Sequence, residues 1–105
     1  MRLYVIAALT LTAQCPALAQ QLEGSPSGGR QVAMTICGSC HRVFATRFSR
    51  TEIPPSFEDI ANLPSTTALS LKVFLRSSHK EMPNIILSNT DTDDVIAFVL
   101  SLKRK

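Results

Sequence analysis

The sequence predicts a small all-α domain, and three observations support that prediction. Near the C-terminus, Val95, Phe98, Val99 and Leu102 recur at i, i+3, i+4 and i+7, the spacing of one apolar helix face. Serine residues, which typically cap helices, stand before this run and before two earlier segments. No two alternating apolar runs are joined by a tight turn, so nothing in the sequence indicates a β-hairpin. The length of 105 residues suits one domain.

The first nineteen residues have the features of a secretory signal peptide. Arg2 gives a basic start, an apolar run follows over residues 3–13, and Ala17-Leu18-Ala19 forms a small-residue cleavage pattern. The apolar run is too short to span a bilayer. We therefore predict cleavage after Ala19 and export to the periplasm of a mature chain of 86 residues that has no membrane span.

A lipoprotein signal is the alternative, with Cys15 as the lipidated residue, but Gln14 fits such a signal poorly. Cleavage at the predicted position removes Cys15 and leaves Cys37 and Cys40 as the only cysteines of the mature chain. It also removes Arg2 and lowers the net charge from +3 to +2. This charge is too small, and its basic residues too scattered, to indicate nucleic-acid binding.

The segments before the C-terminal helix are predicted from caps and periodicity. Residues 20–28 are polar and are predicted to be a linker, followed by a first helix over residues 29–39. Residues 42–54 have no sustained period and should form an irregular loop. Ser56 can cap a short helix, in which the acidic pair Glu58-Asp59 lies near the positive end of the helix dipole.

Two longer helices complete the predicted architecture. Ser65 can cap the first of them, and its apolar stripe would consist of Ala68, Leu71, Phe74 and Leu75. The second would open with the capping-box-like segment Ser88-Asn89-Thr90-Asp91. Its basic end, Lys103-Arg104-Lys105, suits the negative end of the dipole.

The segment Cys37-Gly38-Ser39-Cys40-His41 carries the main chemical information in the sequence. In an exported protein, such a thiol pair is normally a disulfide, a redox centre or chemically modified. A thioredoxin-like redox pair needs a strand before the motif, whereas a helix is predicted there. A zinc site needs four ligands, and the mature chain offers only two cysteines and two histidines. The third interpretation is covalent attachment of a c-type haem, for which Cys-x-x-Cys-His is the known signature. We favour it, with an ordinary disulfide or redox pair as the alternative.

The chemistry of haem attachment accounts for this spacing. Each thiol adds across one haem vinyl group, and a single turn of chain sets the two sulfurs at the separation of the two vinyls. The next residue then lies beneath the ring, where the imidazole of His41 can bind iron. We therefore predict one haem c, bound covalently through Cys37 and Cys40, with His41 as an iron ligand. In so short a chain the haem would also form the centre of the core.

Met82 is the predicted sixth iron ligand. It lies 41 residues after His41, far enough for the chain to wrap round the ring. Pro83 restricts Met82 to extended geometry, which suits a ligand presented from a stiff loop. His79, only three residues away, is the rival ligand. Met34 lies on the attachment side of the ring and is assigned to helix packing.

From Gly29 to its C-terminus the chain resembles a small bacterial class I cytochrome c. Gly29, Ala33 and Cys37 match the spacing of a glycine, a packing residue and the first haem cysteine in the first helix of that family. The Met82-Pro83 pair matches the axial methionine and its following proline. Phe98 matches an aromatic residue that packs on the first helix.

The resemblance implies a compact cytochrome c fold over residues 29–105, with about four helices and loops wrapped around one covalently bound haem. It also implies that a proline carbonyl accepts a hydrogen bond from Nδ1 of His41, and Pro55 aligns better with this role than Pro54. Ala33 departs from the aromatic of the mitochondrial type, and the segment before the axial methionine is short. Both departures indicate a compact bacterial variant.

The predicted coordination indicates the function. With His41 and Met82 both bound, the iron has no open position for a substrate, so we predict an electron carrier and no enzymatic activity. We expect a monomeric periplasmic one-electron carrier that serves redox protein partners. A dedicated cytochrome subunit of a dehydrogenase or oxidase is a related alternative. A haem with a labile or absent sixth ligand, which binds gas, is the competing class.

The charge of the expected haem surroundings bears on the partner. The basic residues of these segments are Arg42, Arg47, Arg50, Lys72, Arg76 and Lys80. If they ring the haem edge, the partner should be acidic and association should slow with added salt. Ordinary solvated surface charge is the alternative.

Overall fold

The computed structural model describes residues 23–44 and 54–105. The expected signal peptide with its cleavage site, Cys15, and most of the predicted loop lie outside the described residues. Within the described ranges the chain forms four α-helices, a short 3₁₀ turn and no strand, which confirms the all-α prediction. The elements are α1 (Pro26–Thr35), the 3₁₀ turn (Cys37–Ser39), α2 (Phe57–Ala61), α3 (Ala68–Leu75) and α4 (Asn89–Ser101). None of these helices is long and apolar enough to cross a membrane.

Helix α1 begins three residues earlier than predicted. Ser25 is its cap and accepts a hydrogen bond from Gly28 N, while Pro26 occupies the first turn, where its missing N–H costs nothing. The predicted linker over residues 20–28 is therefore helical over its last three residues. The α-helix also ends earlier, at Thr35, because the chain tightens into the 3₁₀ turn that holds Cys37.

Helices α1 and α4 cross in close contact, and small residues of α1 make that contact possible. Gly29 and Ala33 are the buried residues of α1. A Cβ atom at Gly29 would overlap the backbone carbonyl of Asp94 and lie 2.8 Å from Phe98 Cβ. The Asp94 carboxylate also accepts a hydrogen bond of 2.6 Å from Ser25 N, so α4 fixes the start of α1.

Helix α4 contributes half of the buried apolar residues of the described chain. The predicted face places Val95, Phe98 and Val99 in the core, with Leu102 packed against them. Ile96 and Ala97 are buried as well, because α4 contacts α1, α2 and α3 on different sides. At its start, Ser88 Oγ accepts from Asp91 N at 3.0 Å and donates to the Asp91 carboxylate at 2.7 Å.

The end of α4 is fastened to the short helix α2. Arg104 forms a salt bridge of 2.7 Å with Glu58 of α2. Asn62, the residue after α2, donates to Leu102 O at 3.3 Å and accepts from Arg104 N at 2.9 Å. The Lys103 ammonium donates to Thr66 O at 2.6 Å. These bonds hold the five-residue helix, which is too short to be stable alone.

Helix α3 differs from the prediction in its cap and in its buried face. Thr67, and not Ser65, caps it: Thr67 Oγ1 accepts from Ser70 N, and Ser70 Oγ accepts from Thr67 N. Ser65 instead offers its carbonyl to Ser70 Oγ. No residue of α3 is fully buried. Leu71 and Leu75 pack against the core, whereas Phe74, the aromatic member of the predicted stripe, remains 44% exposed.

The close crossing of α1 and α4 predicts a strong effect of Gly29→Ala. Because the overlapping atoms belong to backbone, the helices must separate, and overpacking of this kind costs about 1–3 kcal/mol. We expect a loss of about 3 kcal/mol in the free energy of unfolding, measured with guanidinium chloride on the purified protein. In the matched control Gly38→Ala, the nearest atoms to the new Cβ lie at 3.5 and 3.7 Å, which is ordinary contact. Equal losses in the two variants would contradict this account.

Candidate functional site

The Cys37-Gly38-Ser39-Cys40-His41 segment forms one tight turn. The carbonyl of Cys37 accepts hydrogen bonds from Cys40 N at 3.1 Å and from His41 N at 2.8 Å. Both bonds fix the backbone between the two cysteines. Cys37 lies in the core cluster, whereas Cys40 is exposed. The turn therefore begins at the core and brings the second thiol and the imidazole toward the surface.

His41 is held by the carbonyl of Pro55. Nδ1 of His41 lies 2.8 Å from Pro55 O. A carbonyl oxygen only accepts, so Nδ1 carries the hydrogen and the lone pair is left on Nε2. An imidazole whose second nitrogen donates to a backbone carbonyl is the usual arrangement of a histidine that binds a metal. The half-buried ring of His41 is thus set in one tautomer and one orientation.

Two further contacts join the motif to Phe57, the first residue of α2. Phe57 N donates to Arg42 O at 3.0 Å, a bond that lies one residue after His41 and two residues after Pro55. The ring of Phe57 meets the His41 ring edge-on, with 5.7 Å between centroids. Phe57 also packs near Phe98 of α4, with 6.2 Å between centroids. The imidazole is therefore fixed by hydrogen bonding on one atom and by core packing on its edge.

A buried serine–aspartate pair stabilises the residue next to Pro55. Ser56 is fully buried; its Oγ accepts from Asp59 N at 3.1 Å and donates to the Asp59 carboxylate at 2.8 Å. Asp59 is only 7% exposed, and its second carboxylate oxygen has no hydrogen-bond partner within residues 23–44 and 54–105. A buried carboxylate with one free oxygen is costly, so its bond to Ser56 matters more than an exposed cap would.

An apolar cleft brings Cys37 and Met82 together, although they are distant in sequence. It is lined by Cys37, Phe74, Leu75, Ser77, His79, Met82, Pro83, Asn84, Ile85 and Leu87. Most of these side chains are apolar, which suits a flat apolar ligand. Cys40 and His41 are not among the lining residues, so the cleft joins the first cysteine to the predicted methionine ligand alone.

His79, the rival ligand, makes other contacts. Its Nε2 lies 2.7 Å from Phe74 O, and its ring stacks on that of Phe74 with 3.6 Å between centroids and 14° between planes. Nε2 is therefore engaged with a backbone carbonyl. In this arrangement that nitrogen cannot also bind a metal, so His79 is a neighbour of Met82 and a contact of α3.

The donors of this region fit a c-type haem. They comprise two thiols separated by one tight turn, an imidazole with a free Nε2 lone pair, and a thioether beside an apolar cleft. Burial raises the pKa of the Cys37 thiol, the opposite of the lowered pKa that activates a redox cysteine. No group of three or more histidine, cysteine, aspartate or glutamate side chains in the described residues could hold a metal such as zinc.

Part of the basic charge expected around the site is paired within the chain. Lys72 forms a salt bridge of 2.9 Å with Asp93 of α4, and Arg76 hydrogen-bonds to the side chain of Asn89. Arg47 and Arg50 lie outside the described residues. The pairing of Lys72 lowers the positive charge that this face of α3 can offer to a partner.

Three residues of the site were not identified from the sequence. Ser56 was predicted only as a cap, Phe74 only as a member of an apolar stripe, and Phe57 had no predicted role. In the structure Phe57 contacts His41, Ser56 supports the segment after Pro55, and Phe74 contacts His79. The adjacency of Pro55, Ser56 and Phe57 was a usable signal for the first two. No local signal placed Phe74 under His79, because that contact depends on how the chain turns after α3.

The chain is similar in sequence to a cytochrome c. Cytochrome c-552 of Bradyrhizobium diazoefficiens is 32% identical to the chain over 82 residues, which covers 78% of this chain and 79% of the relative. No protein-family model matches the chain. No solved structure matches it significantly.

The buried Ser56–Asp59 pair predicts a larger loss for Ser56→Ala than for Ser88→Ala. Both serines cap helices through the same Ser-x-x-Asp pattern, but the pair at Ser88 is more exposed. Loss of an exposed cap costs about 1 kcal/mol, and leaving a buried carboxylate less satisfied adds about 1–3 kcal/mol. Guanidinium unfolding of the two variants measures the difference. Losses equal within about 0.5 kcal/mol would contradict the importance given to the buried pair.

Proposed function

The chain belongs to the class I c-type cytochromes, and we propose that it is an exported, monomeric one-electron carrier. In this proposal one haem c is attached through Cys37 and Cys40, and His41 and Met82 are its iron ligands. The observation that carries the proposal is the tight Cys-x-x-Cys-His turn whose His41 Nδ1 is bonded to the Pro55 carbonyl. The similarity to a cytochrome c over most of both chains supports it.

The bound haem supplies a ferric–ferrous couple, and the chain's residues set the conditions for it. The Pro55 carbonyl orients the His41 imidazole and increases its donor strength through the Nδ1 hydrogen bond. The Met82 thioether is a soft donor, which favours ferrous iron and raises the reduction potential relative to a second histidine. Both ligands are provided by this chain, so no open iron position remains for a substrate.

The surroundings of the two proposed ligands also favour electron transfer over catalysis. Met82 lies in an apolar cleft beside Pro83, which stiffens its backbone. The cleft offers few groups that could transfer protons: among its described lining residues, His79 is the only ionisable one besides Cys37, and it is bonded to Phe74 O. A stiffened backbone and an apolar lining both suit a ligand that stays bound, as a carrier requires.

The proposed partner is a redox protein in the same compartment. We place the mature N-terminus at Gln20 and the protein in the periplasm, on the basis of the basic, apolar and small-residue pattern of the first nineteen residues. Lys80 is exposed beside the cleft and forms no ion pair with any residue that the structure describes, so it is the cation best placed to meet an acidic partner.

Covalent attachment predicts that Cys37→Ala and Cys40→Ala each weaken or abolish haem retention. Each variant removes one of the two proposed thioether bonds. Haem staining of the periplasmic protein on a denaturing gel measures retention, and Ser39→Ala, within the same turn, is the control that should retain haem fully. Unchanged retention in both cysteine variants would overturn the attachment.

Methionine ligation predicts a specific spectral change in Met82→Ala. The wild-type ferric protein should be low-spin with a methionine-to-iron charge-transfer band, and its ferrous form should bind carbon monoxide poorly. Met82→Ala should lose the band, lower the reduction potential and bind carbon monoxide, while the haem stays covalently attached. Met34→Ala is the control, because Met34 is an exposed residue of α1. Strong carbon monoxide binding by the wild type would favour a gas-binding haem.

A further inference from the structure

The segment that carries Met82 is nearly free of hydrogen bonds. Residues 78–87, which we call the Met82 loop, connect the end of α3 to the cap of α4 without regular structure. No backbone group of the Met82 loop forms a backbone hydrogen bond in the part of the chain that the structure describes. Its single recorded hydrogen bond there belongs to the His79 side chain. Pro83 restricts the backbone beside Met82 but does not attach it to anything.

His79 connects the Met82 loop to α3 through two contacts with one residue. Its Nε2–H donates to the carbonyl of Phe74 at 2.7 Å, a carbonyl in the last turn of α3. Its ring lies parallel to the Phe74 ring, with 3.6 Å between centroids. Helix α3 is itself held by Leu71 and Leu75, which pack against the core, and by the Lys72–Asp93 salt bridge. The contact therefore attaches a weakly bonded loop to a fixed helix.

We propose that His79 is a positioning residue that keeps the Met82 loop closed against α3 and so keeps Met82 over the cleft. The inference rests on the proposed ligation by Met82, because a closed loop matters chiefly if it presents a ligand. His79 is three residues from Met82, and both side chains line the cleft with Phe74. Opening of the loop requires the hydrogen bond and the ring stack to break together, because both are made to Phe74.

The two contacts set the size of the expected effect. The hydrogen bond and the aromatic stack each make a modest contribution of similar size. Loss of both, with some relaxation, should raise the population of open loop about tenfold. The folded domain should be little affected, because the core cluster contains neither His79 nor Phe74.

The first measurement is the rate at which imidazole replaces the sixth ligand of the ferric protein. His79→Ala should bind imidazole about tenfold faster than the wild type, yet keep the methionine-to-iron band and the midpoint of unfolding. His79→Phe retains a ring that can stack on Phe74, so it should recover part of the difference. Ile86→Ala is the matched control, since Ile86 is in the same loop and is 93% exposed. A His79→Ala rate within twofold of the wild type would overturn the positioning role.

The second measurement does not depend on the identity of the ligand. Trypsin cleaves after Lys80, inside the Met82 loop, and Arg30 in α1 provides an internal reference site. His79→Ala should increase the rate of cleavage after Lys80 about tenfold and leave cleavage after Arg30 unchanged. Unchanged cleavage after Lys80 would overturn the anchor even if Met82 is the ligand. Conversely, a methionine band that survives in Met82→Ala would refute the proposed ligation, and the cleavage rates would still decide whether His79 anchors the loop.

Discussion

The close crossing of α1 and α4 at Gly29 determines where the functional residues lie. Only a residue without a side chain allows α1 to approach the Asp94 backbone, and Ala33 continues the same narrow face one turn later. The next position on that face is Cys37, which therefore enters the core cluster beside Val95, Phe98 and Val99. A larger side chain at either position would move the first cysteine away from α4. The small residues that allow the helices to cross therefore also determine where the first cysteine of the proposed haem attachment lies.

The same crossing also organises the His41 side of the site. Phe98 of α4 packs near Phe57, and the Phe57 ring meets the His41 ring, so the imidazole lies at the end of an aromatic row that starts in the core. The backbone beside it is closed by the His41–Pro55 and Phe57–Arg42 hydrogen bonds. Helix α2 is fastened in turn by the salt bridge between Glu58 and Arg104. The residues that fix His41 are therefore connected to α4 and the segment after it through Phe57 and Glu58.

The sequence patterns predicted those features of the fold that depend on contacts between residues close in the chain. The Ser-x-x-Asp caps of α2 and α4 and the apolar face of α4 were legible in the sequence, because each depends on residues within one or two turns. The start of α1 was missed although Ser25-Pro26 is a helix-start signal, because the polar composition around it outweighed that signal. Ser65 and Thr67 compete as caps for α3, and the reciprocal bond with Ser70 decides for Thr67.

The proline partner of His41 was predicted from the family resemblance, and in the structure the Pro55 carbonyl lies at Nδ1 of His41. The role of Phe74 depends on tertiary contact, which no short pattern encodes.

The His41 side and the Met82 side of the site differ in how firmly their backbones are held, and the proposed function accounts for this difference. On the His41 side several hydrogen bonds and a buried serine–aspartate pair fix the backbone, and an aromatic ring fixes the imidazole. On the Met82 side the loop has one hydrogen-bonded residue and an apolar lining. In the proposed attachment, haem enters before the two thioether bonds form, which requires one side of the cleft to open while the other presents its cysteines. A firmly built attachment side and a loop attached through His79 suit this order of events, because the loop can close last over the proposed ligand.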